Sequence, residues 1–452
     1  MTDGDPLNLD ARLAECISPV GGVISGLEQL GSGYSRGGDT VTLARLGEVG
    51  VLRSASSEQR FGGELDGLGC HADPAVSARI AVIEALERYA AAACDERRWL
   101  TATAAELGSD ALDLTDASRC SADELSAPGC PLEPWDPDRP LRWRRGWSLV
   151  DGRDVWVPAV MAQLGVVPRH AGERFWLQTS SGCAAGETEP AALLAACFEL
   201  IERDGVGIAW LQRLALRRLL PAEPAWGSYW PNCESDTGWG WGDVLSTLRL
   251  DQDREPIALF DATSDLGVPT VLAVLPAPPG SGHPTAVGAG CSDSGARAAL
   301  KALRELTVVR ACTWGDGAGD RAHPHVPDEA FAHLDLSAPA PGSERPAGGV
   351  NPGPPATRRQ GDFIGTVSQR LRRIVGILAR EAGDVVAVEL TPVELRGTGV
   401  RVVRVIVPAL IPFLAHVGVR YLDSRRLCEA PRRMGFPVRP PEEVNPWPSP
   451  LW

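Results

Sequence analysis

Lysine is almost absent. Lys301 is the only one in 452 residues, and the other basic side chains are arginines and seven histidines. A P-loop needs Gly-Lys-Ser/Thr, whereas Lys301 sits in Ala-Ala-Leu-Lys-Ala-Leu-Arg-Glu. The strand lysine of protein kinases is excluded too, because no Gly-x-Gly-x-x-Gly loop precedes it. A pyridoxal Schiff base would have Lys301 as its one candidate. A nucleotide, if bound, is held by an unusual route.

Other absences narrow the class further. Eleven cysteines are scattered with no Cys-x-x-Cys pair, so structural zinc has no spacing to support it, leaving only a site assembled from distant residues. The start carries Asp3, Asp5, Asp10 and Glu15 without a basic, apolar signal. Reduced thiols in a cytoplasmic protein are expected. The longest apolar stretch, 402–419, is broken by Arg404, Pro408, Pro412 and His416 and cannot span a bilayer. A net charge of -14, with no long Lys/Arg block, argues against nucleic acid as a partner.

What is present is an α/β chain, with α+β as the alternative. Asp73-Pro74 supplies an N-cap and a first-turn proline, followed by Val76, Ile80, Ile83 and Ala90 at helical spacing. Pro190 opens a second helix, expected to run to about Asp204. Strands are expected at 257–260 and 268–275, then a helix at 296–310. Val367, Leu371, Ile374 and Leu378 mark an amphipathic helix, and strands at 384–390 and 401–407 complete the pattern. No solenoid-type repeat is evident. The Pro/Gly-rich stretch from Ser337 to Asp362 is expected to be a flexible insertion. The Trp-rich stretch from Ala222 to Trp241 packs on the core or walls a substrate.

Two segments draw attention to chemistry. In Glu84-Ala-Leu-Glu87-Arg88 and Glu199-Leu-Ile-Glu202-Arg203, the i, i+3, i+4 spacing puts two carboxylates and a guanidinium on one helix face. Such sets usually form a solvated surface, but both helices are otherwise apolar. Carboxylates in those surroundings need a counter-charge, and Mg2+, which shares oxygen ligands with phosphate, is one. A third helix adds Lys301 and Glu305. Glu84, Glu87, Glu199, Glu202 and Glu305, with Arg88, Arg203 and Lys301, form a candidate clamp for magnesium-triphosphate without a P-loop. The glycines of Ser180-Ser-Gly-Cys-Ala-Ala-Gly186 and Gly288-Ala-Gly290 read either as close approach to phosphate or as tight turns. Ser180 and Ser181 lack a nucleophile elbow and an identifiable partner histidine. His323 and His325 read as a solvated loop or as metal ligands.

These segments resemble the YcaO family. Gly67-Leu-Gly69 leading into Ile80-Ala-Val-Ile-Glu84-Ala-Leu-Glu87-Arg88-Tyr89 is one match. Ser180 to Gly186 with Phe198-Glu-Leu-Ile-Glu-Arg-Asp204 is a second, and Gly288-Ala-Gly290 with Ala299-Leu-Lys-Ala-Leu-Arg-Glu305 a third. Trp156-Val-Pro158, the stretch 261–274 and Val405-Ile-Val-Pro408 are weaker echoes. The resemblance implies a YcaO-type fold in which long carboxylate-bearing helices surround an ATP site. It implies ATP and Mg2+ as cofactors, with Glu84, Glu87, Glu199, Glu202 and Glu305 toward metal. Arg88, Ala184, Glu187, Arg203 and Lys301 fall at nucleotide-binding positions. The implied reaction is cyclodehydration of Cys, Ser or Thr in a ribosomally made precursor peptide to an azoline, through phosphorylation of the amide oxygen.

The end, Asn445-Pro-Trp-Pro-Ser-Pro-Leu-Trp452, resembles the proline-rich terminus of azoline-forming members. On that resemblance Pro446, Pro448, Pro450 and Trp452 enter the active site and take part in cyclisation; the bland reading is a disordered end. Expected divisions are an N-terminal segment (1–60), an ATP/Mg core (61–335), the insertion (336–362), a C-terminal α/β part (363–440) and the tail (441–452). Ile80 replaces the usual Ser, Leu68 the Lys of Gly-Lys-Gly, Glu187 the usual Asn, Ala191 the usual Glu, Ala184 a frequent Ser and Lys301 a frequent Arg. Partners implied are the precursor and a separate leader-binding, activating protein, since no domain with zinc-type cysteines precedes the motifs. A homodimer is the default for such an enzyme. The alternatives are thioamide formation with an outside sulfur donor, or a non-catalytic scaffold that binds precursor or partner.

Overall fold

A computed structural model describes residues 11–30, 39–47, 66–93, 95–219, 257–314, 326–336, 365–414, 416 and 418–451. The expected insertion at 337–362, the Trp-rich stretch, His323, His325 and Trp452 lie outside the described residues. The chain divides into two units. One comprises Met1–Leu30, Thr40–Leu200 and Gly365–Leu410; the other comprises Gly31–Asp39, Ile201–Ile364 and Ile411–Trp452.

In the first unit, β1 (Ile24–Leu30), β2 (Thr40–Leu46) and β3 (Gly67–His71) form an antiparallel meander. The helix α1 (Pro74–Ala92) lies upon it, started by the Asp73 carboxylate, which accepts the Ala75 N–H at 2.8 Å. A second sheet contains β4 (Leu100–Ala102), β5 (Leu141–Ser148), β6 (Asp154–Pro158) and β7 (Cys183–Gly186). Its order is β4-β5-β12-β13-β7 with β6 on β5. The strands β12 (Val386–Glu389) and β13 (Arg401–Ile406) return to this sheet after a long excursion. The core joins Val155, Val157, Val386, Val388 and Val402 of the sheet to Ala81, Val82, Ala85 and Leu86 of α1.

The helix α2 (Glu189–Leu211) follows β7, and the division between units falls inside it, after Leu200. In the second unit β8 (Arg217–Leu219), β9 (Ala258–Asp261), β10 (Thr270–Leu275) and β11 (Ala286–Cys291) pair antiparallel in the order β11-β10-β9-β8. They carry α3 (Gly295–Trp314), whose Ala298, Ala299, Ala302 and Leu306 pack on Val271, Ala273 and Ala286. The amphipathic α4 (Val367–Ala382) belongs to the first unit, and α5 (Arg425–Arg433) to the second.

The α2 helix runs seven residues past the expected end at Asp204. Its Gly205 and Gly207 do not stop it because each is packed: a Cβ on Gly205 would meet the Ala262 carbonyl at 3.0 Å, and one on Gly207 would meet Ile411 at 3.1 Å. The Gly288/Gly290 pair is neither a tight turn nor a phosphate loop. Both residues lie within β11, and a Cβ on either would overlap the backbone of α3. Gly67 and Gly69 in β3 stand in the same relation to α1. The correspondence extends to position: Gly67 meets Ala81 and Ala85 as Gly288 meets Ala302 and Leu306, and Gly69 meets Ser77 and Ala81 as Gly290 meets Ala298 and Ala302. In both cases a helix rests directly on a glycine-bearing strand after an antiparallel meander. Among the described residues, no helix is long and apolar enough to cross a membrane.

Candidate active site

Close strand–helix packing places carboxylates against backbone N–H groups. On α1, Glu84 accepts the Leu68 N–H of β3 at 2.9 Å and the Arg88 guanidinium at 2.6 Å. Glu87 accepts the Ala185 N–H of β7 at 2.9 Å, and Glu199 on α2 accepts the Gly182 N–H at 3.3 Å. The first unit thus gathers Glu84, Glu87, Arg88 and Glu199. Glu87 is partly buried; desolvation, and then the charges of Glu199 and Glu84, hold its pKa well above the usual carboxylate range, with Arg88 and the Ala185 N–H opposing. Burial works against the Arg88 charge, but Glu84, Glu87 and Glu199 outweigh it and raise its pKa. Ala184 is buried in β7 beside Ala185. Glu187 is turned outward, three-quarters exposed, and paired with Arg79.

The second unit gathers Glu202, Arg203, Lys301 and Glu305. Glu305 accepts the Ala289 N–H of β11 at 2.8 Å, across the same 16-residue separation that links Leu68 to Glu84. Arg203 Nη2 lies 3.8 Å from Glu305 and its Nε 4.0 Å from Glu202, with its guanidinium over the Phe413 ring at 5.0 Å. Lys301 Nζ donates to the Cys291 carbonyl at 3.1 Å. Burial, then the Glu202 charge, push Glu305 up to about 7, against the pull of Arg203 and Lys301. Next to this set, Asp204 accepts from Arg426 at 2.8 and 2.6 Å and from the Ile411 N–H at 3.0 Å, fixing the helix that carries Glu202.

Each unit therefore holds partly buried carboxylates, Glu202 the most deeply, whose mutual repulsion is only partly offset by arginine or lysine. An all-oxygen, anionic donor set fits Mg2+. Among the described residues, no three His, Cys, Asp or Glu side chains converge closely enough to hold a metal alone. Mg2+ is usually bound by one or two carboxylates and completed by phosphate oxygens and water. The guanidinium groups of Arg88 and Arg203 and the Lys301 ammonium are the cations beside these carboxylates that could neutralise phosphate.

Sequence reasoning passed over two buried groups. Arg404, which in sequence only interrupts an apolar stretch, is buried in β13 opposite Cys183 and donates to the Thr179 carbonyl at 2.6 Å and to Cys183 Sγ at 3.1 Å. The Asp204–Arg426 pair joins residues far apart in sequence, and no local pattern marks it. The tail residues Pro446, Pro448 and Pro450 lie in an ordered segment of the second unit, anchored through Asn445 and Trp447.

Comparison with known proteins agrees with this geometry. The family model of the YcaO cyclodehydratases, described as ATP- and Mg2+-binding, matches residues 68–411. An uncharacterized protein in the tfuA 3' region of Rhizobium leguminosarum bv. trifolii is 28% identical over 343 residues, 71% of each chain. Among solved structures, a heterocyclase in complex with substrate and cofactor is similar with a TM-score of 0.70 and 21% identity, over 97% of this chain. The chain spans 56% of that heterocyclase's length. YcaO from Methanopyrus kandleri, bound with AMPPCP and Mg2+, is similar with a TM-score of 0.58, 18% identity and 86% of each chain covered. The mixed helix-and-sheet fold is that of the heterocyclases, and the chain belongs to the YcaO family, which binds ATP and Mg2+.

Proposed function

We propose that the protein is an ATP-dependent peptide cyclodehydratase. In the proposed reaction a Cys thiol or a Ser/Thr hydroxyl adds to the preceding amide carbonyl carbon. The resulting oxyanion takes the γ-phosphoryl group and leaves as phosphate, while the amide nitrogen gives up its proton as the C=N bond forms. The net change is loss of one water per thiazoline or oxazoline. An amide oxygen is a poor leaving group, and phosphorylation corrects that; the rest is positioning and charge neutralisation. The observation that carries the reading is the pair of carboxylate sets, each pinned by strand N–H groups and accompanied by Arg or Lys. Glu84, Glu87, Glu199, Glu202 and Glu305 would hold Mg2+; Arg88, Arg203 and Lys301 would neutralise phosphate. Backbone donors keep the carboxylates from rearranging as charge develops.

The proposal includes a precursor peptide and a separate leader-binding protein. The test is incubation with precursor, partner and Mg-ATP. One water lost from the peptide and one phosphate released per ring is the expected result. Exchange of an amide oxygen for sulfur would indicate thioamide formation instead. A second reading, a scaffold without turnover, is favoured by Glu187, which faces Arg79 rather than the carboxylates, and by Ala191, which brings no ligand. Binding of precursor without phosphate release would establish it.

A further inference from the structure

Every α-helix leaves its last four carbonyls without an internal partner, and a buried helix end must find donors for them elsewhere. The end of α2 in the second unit can be accounted for bond by bond. Arg213 is left-handed (φ 46°). Its N–H donates to the Trp210 carbonyl at 3.2 Å, and that of Leu214 to Ala209 at 2.9 Å, a Schellman close. The next two carbonyls are taken by the C-terminal segment. Asn445 N–H donates to Leu211 at 2.8 Å, and Arg439 Nε to Gln212 at 3.1 Å. The Gln212 side chain accepts the Arg439 N–H at 2.7 Å in return.

The same segment is then aimed. Asn445 is fully buried; its Oδ1 accepts the Trp447 N–H at 3.2 Å, turning the chain around Pro446, and its Nδ2 donates to the Ala330 carbonyl at 3.4 Å. The Trp447 carbonyl accepts the Trp210 indole N–H at 3.0 Å. The indole is held by Phe331 and His333, with ring centroids 5.1 and 5.6 Å away. Burial pushes His333 down to about 4, so it is a neutral wall. Farther on, Ser449 N–H donates to the Leu414 carbonyl at 3.3 Å, and Leu451 N–H to Ser449 Oγ at 3.2 Å. Trp210 lies on the helix that carries Glu202, eight residues and about 12 Å further along its axis.

Proline donates nothing, and an extended proline-rich chain has no internal hydrogen bonds, so its direction depends on the residues between the prolines. We propose that Asn445 and Trp210 are positioning residues for the ring-forming step. They fix the point and angle at which the last residues leave α2, and they make that helix the common mount of Glu202 and the tail. This role rests on the cyclodehydratase reading; the anchor itself does not.

Two full-length variants separate these parts. Asn445→Ala keeps the N–H that caps Leu211 and removes only the side-chain bonds. Trp210→Phe keeps an aromatic ring against Phe331 and removes the indole donor. In both, the Ser449 and Leu451 amides are expected to exchange hydrogen about tenfold faster or more, with α2 amides unchanged. Ring-forming kcat is expected to fall about tenfold, while KM for precursor and Kd for Mg-ATP stay within about twofold. Unchanged exchange at Ser449 and Leu451 would overturn the anchor, whatever reaction the wild type performs. Faster exchange with undiminished kcat would overturn the positioning role, as would an equal loss of Mg-ATP affinity. If the wild type forms no rings, the cyclodehydratase reading and the positioning role fall together, and the exchange rates still decide the anchor.

Discussion

Glu305 carries a pH dependence whose sign follows from its surroundings. Its carboxyl, ordinarily near 4.5, titrates at about 7 in the fold because burial, then Glu202, disfavour its charge. Between those values the unfolded chain releases a proton that the folded chain retains. The stability it contributes is full below about pH 4.5 and lost as pH rises through about 7. Denaturant titrations of nucleotide-free protein across that window should show this decline, and Glu305→Gln should flatten it. A cation needs the carboxylate ionised, so Mg-ATP binding should release protons below pH 7, measurable calorimetrically in buffers of different ionisation enthalpy. Glu199→Ala and Glu202→Ala should each abolish Mg-ATP binding or turnover; wild-type calorimetric titrations for both variants would remove the clamp. These carboxylates were legible in the sequence because i, i+3, i+4 spacing on apolar helices is a local signal. Arg404 and Arg426 were not, because their partners lie hundreds of positions away and only the folded sheet and helix ends bring them together.

At the scale of elements, the glycines of β3 and β11 matter through what they lack. A Cβ at Gly69 or Gly290 would overlap helix backbone, which cannot yield as a flexible side chain can. Gly69→Ala and Gly290→Ala should each destabilise by about 1–3 kcal/mol or more, read from urea midpoints at unchanged m. Each should also weaken Mg-ATP binding, since the shifted helix carries Glu84 or Glu305 away from its N–H donor. The helices themselves followed from periodicity and from Asp73-Pro74. The meander β1–β3 and the hairpin of β5 and β6 did not, because their sequences alternate only weakly between apolar and polar residues. Glycine between apolar residues reads equally as a turn, a phosphate loop or a strand against a helix, and only the packing partner decides.

For the whole molecule, the tail and the partner are the tests. Removal of Pro446 to Trp452 keeps the Asn445 N–H on Leu211 but deletes buried Ser449 and Leu451 and the acceptor of the Trp210 indole, so it should lower the melting temperature modestly, leave Mg-ATP binding nearly unchanged and stop ring formation. Activity in the truncated protein would remove the tail's role. Purified alone, the protein should process precursor slowly or not at all, and full activity without a partner would contradict a separate leader-binding protein. The α/β character could be read from the alternation of patterns, but the division into two units could not. It falls in the middle of an uninterrupted helix, where sequence offers no break.

The matched strand–helix pairs also bear on descent. Gly67, Gly69, Cys70, Ala75, Ala78, Ala81 and Glu84 recur as Gly288, Gly290, Cys291, Ala296, Ala299, Ala302 and Glu305, at one constant offset. Such a match is what a tandem gene duplication leaves behind once the two copies have diverged under one retained demand, a glutamate hung from a strand amide. The two pairs are not identical. The first holds Glu87 and Arg88 where the second has Val308 and Val309, and the second holds Lys301 where the first has Ile80. An enzyme assembled in this way would trace back to an ancestor that carried a single copy, with the asymmetry of the present protein written one substitution at a time.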